Sequence, residues 1–322
     1  MRVLVWGFYN QGNLGDDLMA LIFAELIEEL GHTAIIFSEN SRFAELGYET
    51  ASEFEGIKAD AIVLGGGAFF KAANSSKSSI ETSIGALADY IEDTAIPVFG
   101  MSLGSDGANS IDEISSNRRR VVGAASFSGA AVRLVKDVNF MAGKLSYLPD
   151  IVFAAKYYWV KKSATGEGDE GVGRILLNFS RRSIFSAPFA ILRSGRNEKV
   201  TFLAHGGENP TGGELSLPLL KKYVADDILK SVDYIGKSEG IFSSKLHPGI
   251  ISLSYGKAFY AAAMRAKTRD FIMEYSGRGI INVEQRVGYV NVSFRKNFDW
   301  QAELWGRYSE LMNSFLQSVS RK

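Results

Sequence analysis

The stretch "RVLVWGFYNQGNLGDDLMALIFAELIEELG", residues 2–31, decides the fold class of this chain. Its apolar start, residues 2–7, is too short for a membrane span or for the core of a signal peptide, and it predicts a buried strand. From Asp16 onward, apolar residues recur at three- and four-residue spacing, which predicts an amphipathic helix that ends at Gly31. A strand followed directly by a helix is the repeating unit of a parallel α/β sheet.

The same alternation of strand and helix continues on both sides of residues 161–173. That segment, "KKSATGEGDEGVG", is charged, rich in glycine and without periodicity, so we interpret it as a linker. The predicted strands lie at 32–38, 59–70, 97–105, 127–135 and 145–154 before the linker, and at 174–180, 199–207, 240–244 and 257–263 after it. We therefore predict an α/β protein with domains at 1–165 and 166–297, followed by a helical segment at 298–322.

Composition excludes several classes of function. The chain has 36 basic and 36 acidic residues, so its zero net charge does not favour nucleic acid or an anionic membrane as the main partner. It has no cysteine, which excludes disulfides, thiolate nucleophiles and cysteine metal sites and agrees with a cytoplasmic location. No apolar stretch approaches the roughly 20 residues that span a bilayer. We expect a soluble, cytoplasmic protein whose anion sites are local.

Two glycine-containing loops follow predicted strands of the first half, at residues 7–17 and 64–70, and neither has a dinucleotide or P-loop fingerprint. A glycine turn and an Asp16 cap on the helix would explain the first loop structurally, and the alternative is that it lines a ligand crevice. In the second loop, successive glycines allow backbone to approach a ligand or another segment closely. The candidate cleft residues are Asn13, Gly15, Asp16, Asp17, Gly66 and Gly67.

Cationic and proton-donating residues gather after the strands of the second half. The stretch "SSKLHPG", residues 243–249, follows a predicted strand and opens a helix, whose N-terminus attracts anions. His247 is there either as a reactive group or as a histidine that only caps and packs. Because no acidic residue has ligand spacing with the histidines, no metal site is predicted. The predicted anion-binding residues are Ser244, Lys245, Arg181, Arg182 and His205.

Seven motifs, in order over nearly the whole chain, carry a family resemblance: "GNLGDD", "DAIVLGGG", "FGMSLGS", "LPDIVF", "NFSRR", "LAHGG" and "SSKLHPGIISLSYGKAFYA". The series resembles that of the polysaccharide pyruvyl transferases. The resemblance implies a GT-B-like architecture, with two Rossmann-like domains facing a cleft and the last helix crossing back onto the first domain. It also implies transfer of the enolpyruvyl skeleton of phosphoenolpyruvate to a sugar, with formation of a carboxyethylidene ketal and release of phosphate.

The resemblance implies roles for the candidate residues as well. His247 would be the general acid, the predicted anion-binding residues would hold phosphoenolpyruvate, and the loop at 7–17 would face the sugar acceptor. That acceptor would belong to a polysaccharide or to its lipid-linked precursor, the latter used at the cytoplasmic face of the membrane, and no cofactor is implied. The chain departs from the family pattern at Lys245, where arginine is usual, and lysine cannot reproduce a bidentate arginine clamp.

Two other functions stay open at the level of the sequence. A GT-B glycosyltransferase that uses a nucleotide sugar would share the two-domain architecture and would bind a nucleotide diphosphate in the second domain. A non-catalytic module that recognises acidic glycans would also need a cationic rim.

Overall fold

The structure of the chain is a computed structural model that describes residues 1–75, 78–162, 174–179, 199–205, 221–225 and 227–321, with only the backbone described at residues 10, 75, 78, 199–205 and 221–225. The chain divides into two compact units. The first unit comprises Met1–Asn10, Met19–Ile151 and Trp305–Lys322, and the second comprises Gln11–Leu18 and Val152–Leu304. The predicted domain boundary at residues 165 and 166 lies outside the described residues, as does the predicted linker from residue 163 onward, so this boundary stays a prediction. Lys161 and Lys162, the first two residues of that linker, are the end of a helix.

The first unit is built on a seven-stranded parallel sheet with strand order β3-β2-β1-β4-β6-β8-β9. Its central strands are almost fully buried because both faces of a parallel sheet are covered. The order reverses between β1 and β4, which is the topological switch point of a Rossmann-like sheet. The strands are β1 Arg2–Trp6, β2 Thr33–Phe37, β3 Glu49–Ala51, β4 Ala61–Gly65, β6 Val98–Leu103, β8 Phe127–Val132 and β9 Leu145–Tyr147.

Four helices and a small second sheet accompany the large one. Between Leu14 and Ile27 of α1, every residue except Glu25 is buried, so this helix is enclosed on nearly every side rather than amphipathic as predicted. Two-residue strands pair beyond the carboxyl ends of β4 and β6. The helices are α1 Leu14–Glu29, α2 Ser41–Glu45, α3 Ser78–Thr94 and α4 Ser116–Gly123, and the short strands are β5 Phe70–Lys71 and β7 Ser105–Asp106.

The second unit contains another seven-stranded sheet, with order β12-β11-β10-β13-β14-β16-β15. Strands β10 to β14 are parallel, and its switch point lies between β10 and β13. The strands are β10 Arg174–Asn178, β11 Lys199–His205, β12 Lys221–Ala225, β13 Gly240–Ser243, β14 Ala258–Ala261, β15 Ile281–Arg286 and β16 Tyr289–Phe294, and the helices are α5 Ala155–Lys162, α6 Ile228–Lys237, α7 Leu246–Ser254 and α8 Ala266–Gly277.

Several segments differ from the sequence prediction, among them the edge strands β3 and β12, which were not predicted. The predicted strand at 145–154 ends at Tyr147, and Ile151–Ala154 form a 3₁₀ helix after Pro149, which has no N–H to continue a strand ladder. Strands β15 and β16 form an antiparallel hairpin at the edge of the second sheet that was not predicted. Its turn uses Gly288 at φ 89°, in the left-handed region.

The terminal helix α9 spans Phe298–Ser320, close to its predicted extent, and contributes to both units. In the second unit, Gln301 donates to the Ser254 carbonyl oxygen at 2.6 Å. In the first unit, the Tyr308 hydroxyl donates to the Pro149 carbonyl oxygen at 3.0 Å. In the part of the chain that the structure describes, no helix combines the length and apolarity needed to cross a bilayer.

Candidate functional site

The candidate site lies at the junction of β13 and α7 in the second unit. Asn178, Ser243 and Ala261 occupy matching register positions at the carboxyl ends of the three neighbouring parallel strands β10, β13 and β14. This edge of the sheet, beside the switch point, is where doubly wound proteins bind ligands. The predicted stretch 243–249 is therefore placed at the ligand-binding edge of its sheet.

A serine hydroxyl fixes the turn that leads from β13 into α7. Ser243 Oγ accepts a hydrogen bond from the Lys245 amide at 2.9 Å and donates to the Lys245 carbonyl oxygen at 3.0 Å. The Ser244 amide donates to the Asn178 carbonyl oxygen at 3.2 Å, which ties the turn to the neighbouring strand. These bonds fix the backbone of Ser244 and Lys245 at the start of the helix.

The N-terminus of α7 is buried and its cap residue is a cation. Lys245 is the N-cap, and because lysine has no acceptor atom its side chain cannot cap the first amides of the helix. The amides of Leu246 and His247 precede the first i→i−4 bond, so their acceptors must come from outside the helix. All nine residues of α7 are buried, and His247 is 4% exposed. Burial strengthens the attraction of this helix end for an anion because water screens it less.

The first turn of α1 packs directly against His247. A Cβ atom built on Gly15 would lie 2.0 Å from both Cγ and Nδ1 of His247 and 2.2 Å from its Cβ. Distances below 3.0 Å do not occur between such atoms, so only glycine is compatible with this contact. Both residues belong to the second unit, because Gln11–Leu18 cluster with it. This contact was not predicted from the sequence, since no local pattern reports packing between distant segments.

Asn13, and not Asp16 as predicted, is the residue that caps α1. Asn13 Oδ1 accepts from the Gly15 amide at 3.3 Å, and its backbone oxygen accepts from the Asp17 amide at 3.0 Å. The Asn13 side-chain amide donates to Asp16 Oδ2. Asp16 and Asp17 lie inside the first helical turn, 7% and 2% exposed, where carboxylates stabilise the positive end of the helix dipole.

Gly66 and Gly67 belong to the first unit and have a structural explanation. Their φ angles are 83° and 82°, and a Cβ at Gly66 would lie 2.4 Å from Met19 Sδ. The loop that follows is held by Arg118, which donates to the Ala68 and Phe69 carbonyl oxygens. Burial lowers the pKa of Arg118, and its hydrogen bond to Glu81 opposes that effect. Conformation and packing thus account for both glycines.

The remaining predicted residues are described only in part or not at all. His205 ends β11 opposite Ala225 of β12, and only its backbone is described. Arg181 and Arg182 lie outside the described residues. Of the chain that the structure describes, no group of three or more histidine, aspartate or glutamate residues is arranged to hold a metal ion. In the first unit, His32 Nδ1 lies 3.4 Å from the terminal amine, and burial together with that amine lowers its pKa.

Sequence reasoning also missed a buried charge cluster in the first unit, beyond the carboxyl ends of β6 and β8. Arg133 Nη1 and Asp150 Oδ2 form an ion pair at 3.0 Å, with side chains 5% and 0% exposed. Asp137 is fully buried, and its Oδ2 accepts from the Ser105 amide at 2.9 Å. Burial raises the pKa of Asp137. The sequence did contain a signal for the buried ion pair, since an arginine and an aspartate stand next to apolar runs in "AAVRLV" and "LPDIVF".

Comparison with known proteins gives a fold and not a family. No protein-family model matches the sequence, and no curated protein matches it. Among solved structures, the chain is similar to UDP-GlcNAc 2-epimerase from Neisseria meningitidis bound to UDP-GlcNAc, with 15% identity, a TM-score of 0.53 and 85% of each chain covered. S. aureus MnaA, solved with UDP, gives 9% identity, a TM-score of 0.51, and coverage of 82% of this chain and 79% of that chain. The Methanocaldococcus jannaschii UDP-GlcNAc 2-epimerase in complex with UDP-GlcNAc and UDP gives 13% identity and a TM-score of 0.50, with coverage of 80% of this chain and 83% of that chain.

The enzymes named among these structural neighbours are UDP-GlcNAc 2-epimerases and not pyruvyl transferases, so the identification with the polysaccharide pyruvyl transferases is wrong. The predicted use of phosphoenolpyruvate loses its support with it. The predicted fold class is confirmed: the chain is an α/β protein with two Rossmann-like units of GT-B-like type.

Proposed function

We propose that the chain is a nucleotide-sugar enzyme that binds the diphosphate of a nucleoside diphosphate sugar at the N-terminus of α7 and acts on the attached sugar. The observation that carries the proposal is the β13–α7 junction of the second unit. There a buried helix begins with Lys245 as its N-cap and His247 as its second residue, so that both belong to its first turn.

The chemistry of this junction suits a diphosphate. Leu246 and His247 form the first turn of α7, where helix amides can donate to phosphate oxygens and the helix dipole adds positive potential. Lys245 adds a point charge that can follow a phosphate group without bidentate geometry. The hydrogen-bonded turn at Ser243 holds the donors in place before a ligand arrives, which lowers the entropy cost of binding.

The similar fold supports a uridine nucleotide as the first ligand to test. Two of the similar solved proteins contain UDP-GlcNAc and one contains UDP without a named sugar. The predicted phosphate ligands Arg181, Arg182 and His205 remain part of the proposal. His205 ends a strand of the same parallel sheet as Ser243, and the arginine pair follows β10 in the sequence.

His247 favours an enzyme over a non-catalytic glycan-binding module. An imidazole titrates near neutral pH, so it can donate a proton to a leaving phosphate oxygen or take one from a sugar. Its 4% exposure limits competition from solvent water. In this proposal Lys245 and Ser244 hold the diphosphate, and His247 moves the proton.

Calorimetric titration tests the proposal. UDP should bind the wild-type protein saturably, inorganic pyrophosphate should compete with it, and uridine without phosphate should bind far more weakly. Lys245→Gln should weaken UDP binding by about tenfold to a hundredfold, the usual worth of a hydrogen bond to a charged group. The matched control is Lys296→Gln, an exposed lysine of the same unit, which should bind UDP as the wild type does. The proposal is refuted if no nucleoside diphosphate binds the wild type, or if both lysine variants bind UDP equally well.

A further inference from the structure

The backbone of Gly15 and the side chain of His247 are in close contact within the second unit. The nearest atoms to a Cβ at position 15 are Cγ, Nδ1 and Cβ of His247, at 2.0, 2.0 and 2.2 Å. The ring therefore lies against the backbone of the first turn of α1, with its Cγ–Nδ1 side nearest to Gly15. Any side chain at position 15 would occupy space that the imidazole now fills.

We propose that Gly15 is a positioning residue for His247: the missing side chain creates the space that sets the rotamer of the imidazole. The inference rests on the proposed function, in which His247 moves the proton. It adds a residue of the first helix to that machinery, although Gly15 itself touches no reacting atom.

The surroundings of Gly15 make the contact rigid. The Gly15 amide is held by Asn13 Oδ1 at 3.3 Å, and the Asp17 amide by the Asn13 carbonyl oxygen at 3.0 Å. On the other side, His247 is carried by a helix whose nine residues are all buried. Because both segments are buried and closely packed, we expect an added methyl group at position 15 to be accommodated by movement of the ring.

A helical glycine with free space around it provides a control for the effect of alanine on the helix itself. A helical glycine with free space around it can be replaced by alanine at no cost, and alanine is the better helix former. Gly277, the last residue of α8 in the same unit, has no heavy atom within 4 Å of a built Cβ. Gly277→Ala is therefore the matched control for Gly15→Ala.

The test uses the full chain labelled with ¹⁵N- and ¹³C-histidine, which contains three histidines and so gives three sets of imidazole signals. The His247 set is assigned by its loss in His247→Gln. In Gly15→Ala the His247 signals should move and those of His32 should stay, whereas Gly277→Ala should leave all three sets in place. Unmoved His247 signals in Gly15→Ala, or equal movement in the Gly277→Ala control, would overturn the inference.

Gly15→Ala can also lower stability, and a second variant keeps the test decisive in that case. His247→Gly removes all three of the nearest atoms, so Gly15→Ala should lower the melting temperature by several degrees in the wild type and hardly at all in the His247→Gly background. An equal drop in both backgrounds would place the clash elsewhere and refute the inference.

Calorimetry with UDP on the same samples distinguishes this inference from the proposed function. If the wild type does not bind UDP but Gly15→Ala moves the His247 signals, the nucleotide-sugar proposal fails and the positioning of His247 by Gly15 is supported. If the wild type binds UDP and the His247 signals do not move in Gly15→Ala, the inference about Gly15 is wrong while the proposed function is supported.

Discussion

The buried ion pair of Arg133 and Asp150 should be among the most sensitive sites for the stability of the first unit. Asp150→Asn keeps the size of the side chain and removes its charge, so the buried Arg133 guanidinium would lose the carboxylate that lies 3.0 Å from its Nη1. The two side chains are only 5% and 0% exposed, and water cannot replace the lost partner. Gly104 adds to the constraint, since a Cβ there would lie 2.4 Å from Arg133 Nε and the guanidinium has little room to move.

The expected loss in the free energy of unfolding follows from the burial of the two side chains. Removing one partner of a buried pair costs about 3–5 kcal/mol, because the remaining charge is uncompensated. Arg133→Met should cost a similar amount for the same reason. The double variant, Arg133→Met with Asp150→Asn, removes both charges of this pair and should therefore cost less than the sum of the two single losses.

An exposed pair of similar geometry is the control. Arg120 Nη2 lies 2.5 Å from Glu92 Oε2, but these side chains are 36% and 47% exposed. Glu92→Gln makes the same change from carboxylate to amide and should leave the free energy of unfolding almost unchanged, because solvent screens a surface pair. Urea-induced unfolding of the single and double variants measures all of these free energies.

Either of two results would refute this reasoning. If Asp150→Asn and Glu92→Gln cost the same, burial would not decide the strength of the pair. If the losses of Arg133→Met and Asp150→Asn simply added in the double variant, the two charges would not compensate each other.

Two further predictions concern buried groups of the same unit. Burial raises the pKa of Asp137, so the folded state keeps the proton of this carboxyl group to higher pH than the unfolded state does. The free energy of unfolding therefore falls as the pH rises from the ordinary pKa of aspartate through the raised pKa of the folded state. Asp137→Asn, measured by urea unfolding at pH 4 and pH 7, should therefore gain stability relative to the wild type as the pH rises, and a pH-independent difference would contradict this. Tyr308→Phe removes the 3.0 Å hydrogen bond to the Pro149 carbonyl oxygen and should cost about 1 kcal/mol in the same assay; no loss at all would mean that another donor replaces the hydroxyl.

Most strands of both sheets could be predicted from the sequence, because parallel strands covered on both faces are short apolar runs between turn residues. The edge strands β3 and β12 were not predicted, and neither was the hairpin of β15 and β16. Five of the six residues of β15 are exposed, so its sequence carries no apolar run. It is held by pairing with β16, which in turn pairs with β14, and such long-range pairing leaves little local signal.

The position of the candidate site was also predictable, while its contacts were not. A serine-rich turn that opens a helix after an apolar strand locates residues 243–249 at the ligand-binding edge of the sheet. The glycine in "GNLGDD" signalled a turn, but the need for glycine at position 15 comes from His247, which is far away in the sequence. Similarly, Asp16 matched the cap preference, yet the helix begins at Leu14 and Asn13 performs that role.

The incorrect family identification has a physical cause of the same kind. Most of the motifs that suggested pyruvyl transferases consist of strand ends, glycine turns and helix starts, which every Rossmann-like unit needs. Such motifs report the fold reliably and the substrate poorly. The fold class was therefore confirmed while the donor substrate lost its support.

The division of the chain between its two units has a consequence for its synthesis. The second unit includes Gln11–Leu18, which are made long before the rest of that unit, and the first unit includes Trp305–Lys322, which are made long after the rest of theirs. Neither unit corresponds to one uninterrupted half of the chain. A gene divided in the middle would therefore encode two fragments, and each fragment would lack a segment of the unit to which most of its residues belong. The contact between Gly15 and His247 can form only after all the residues that lie between them in the sequence have been made.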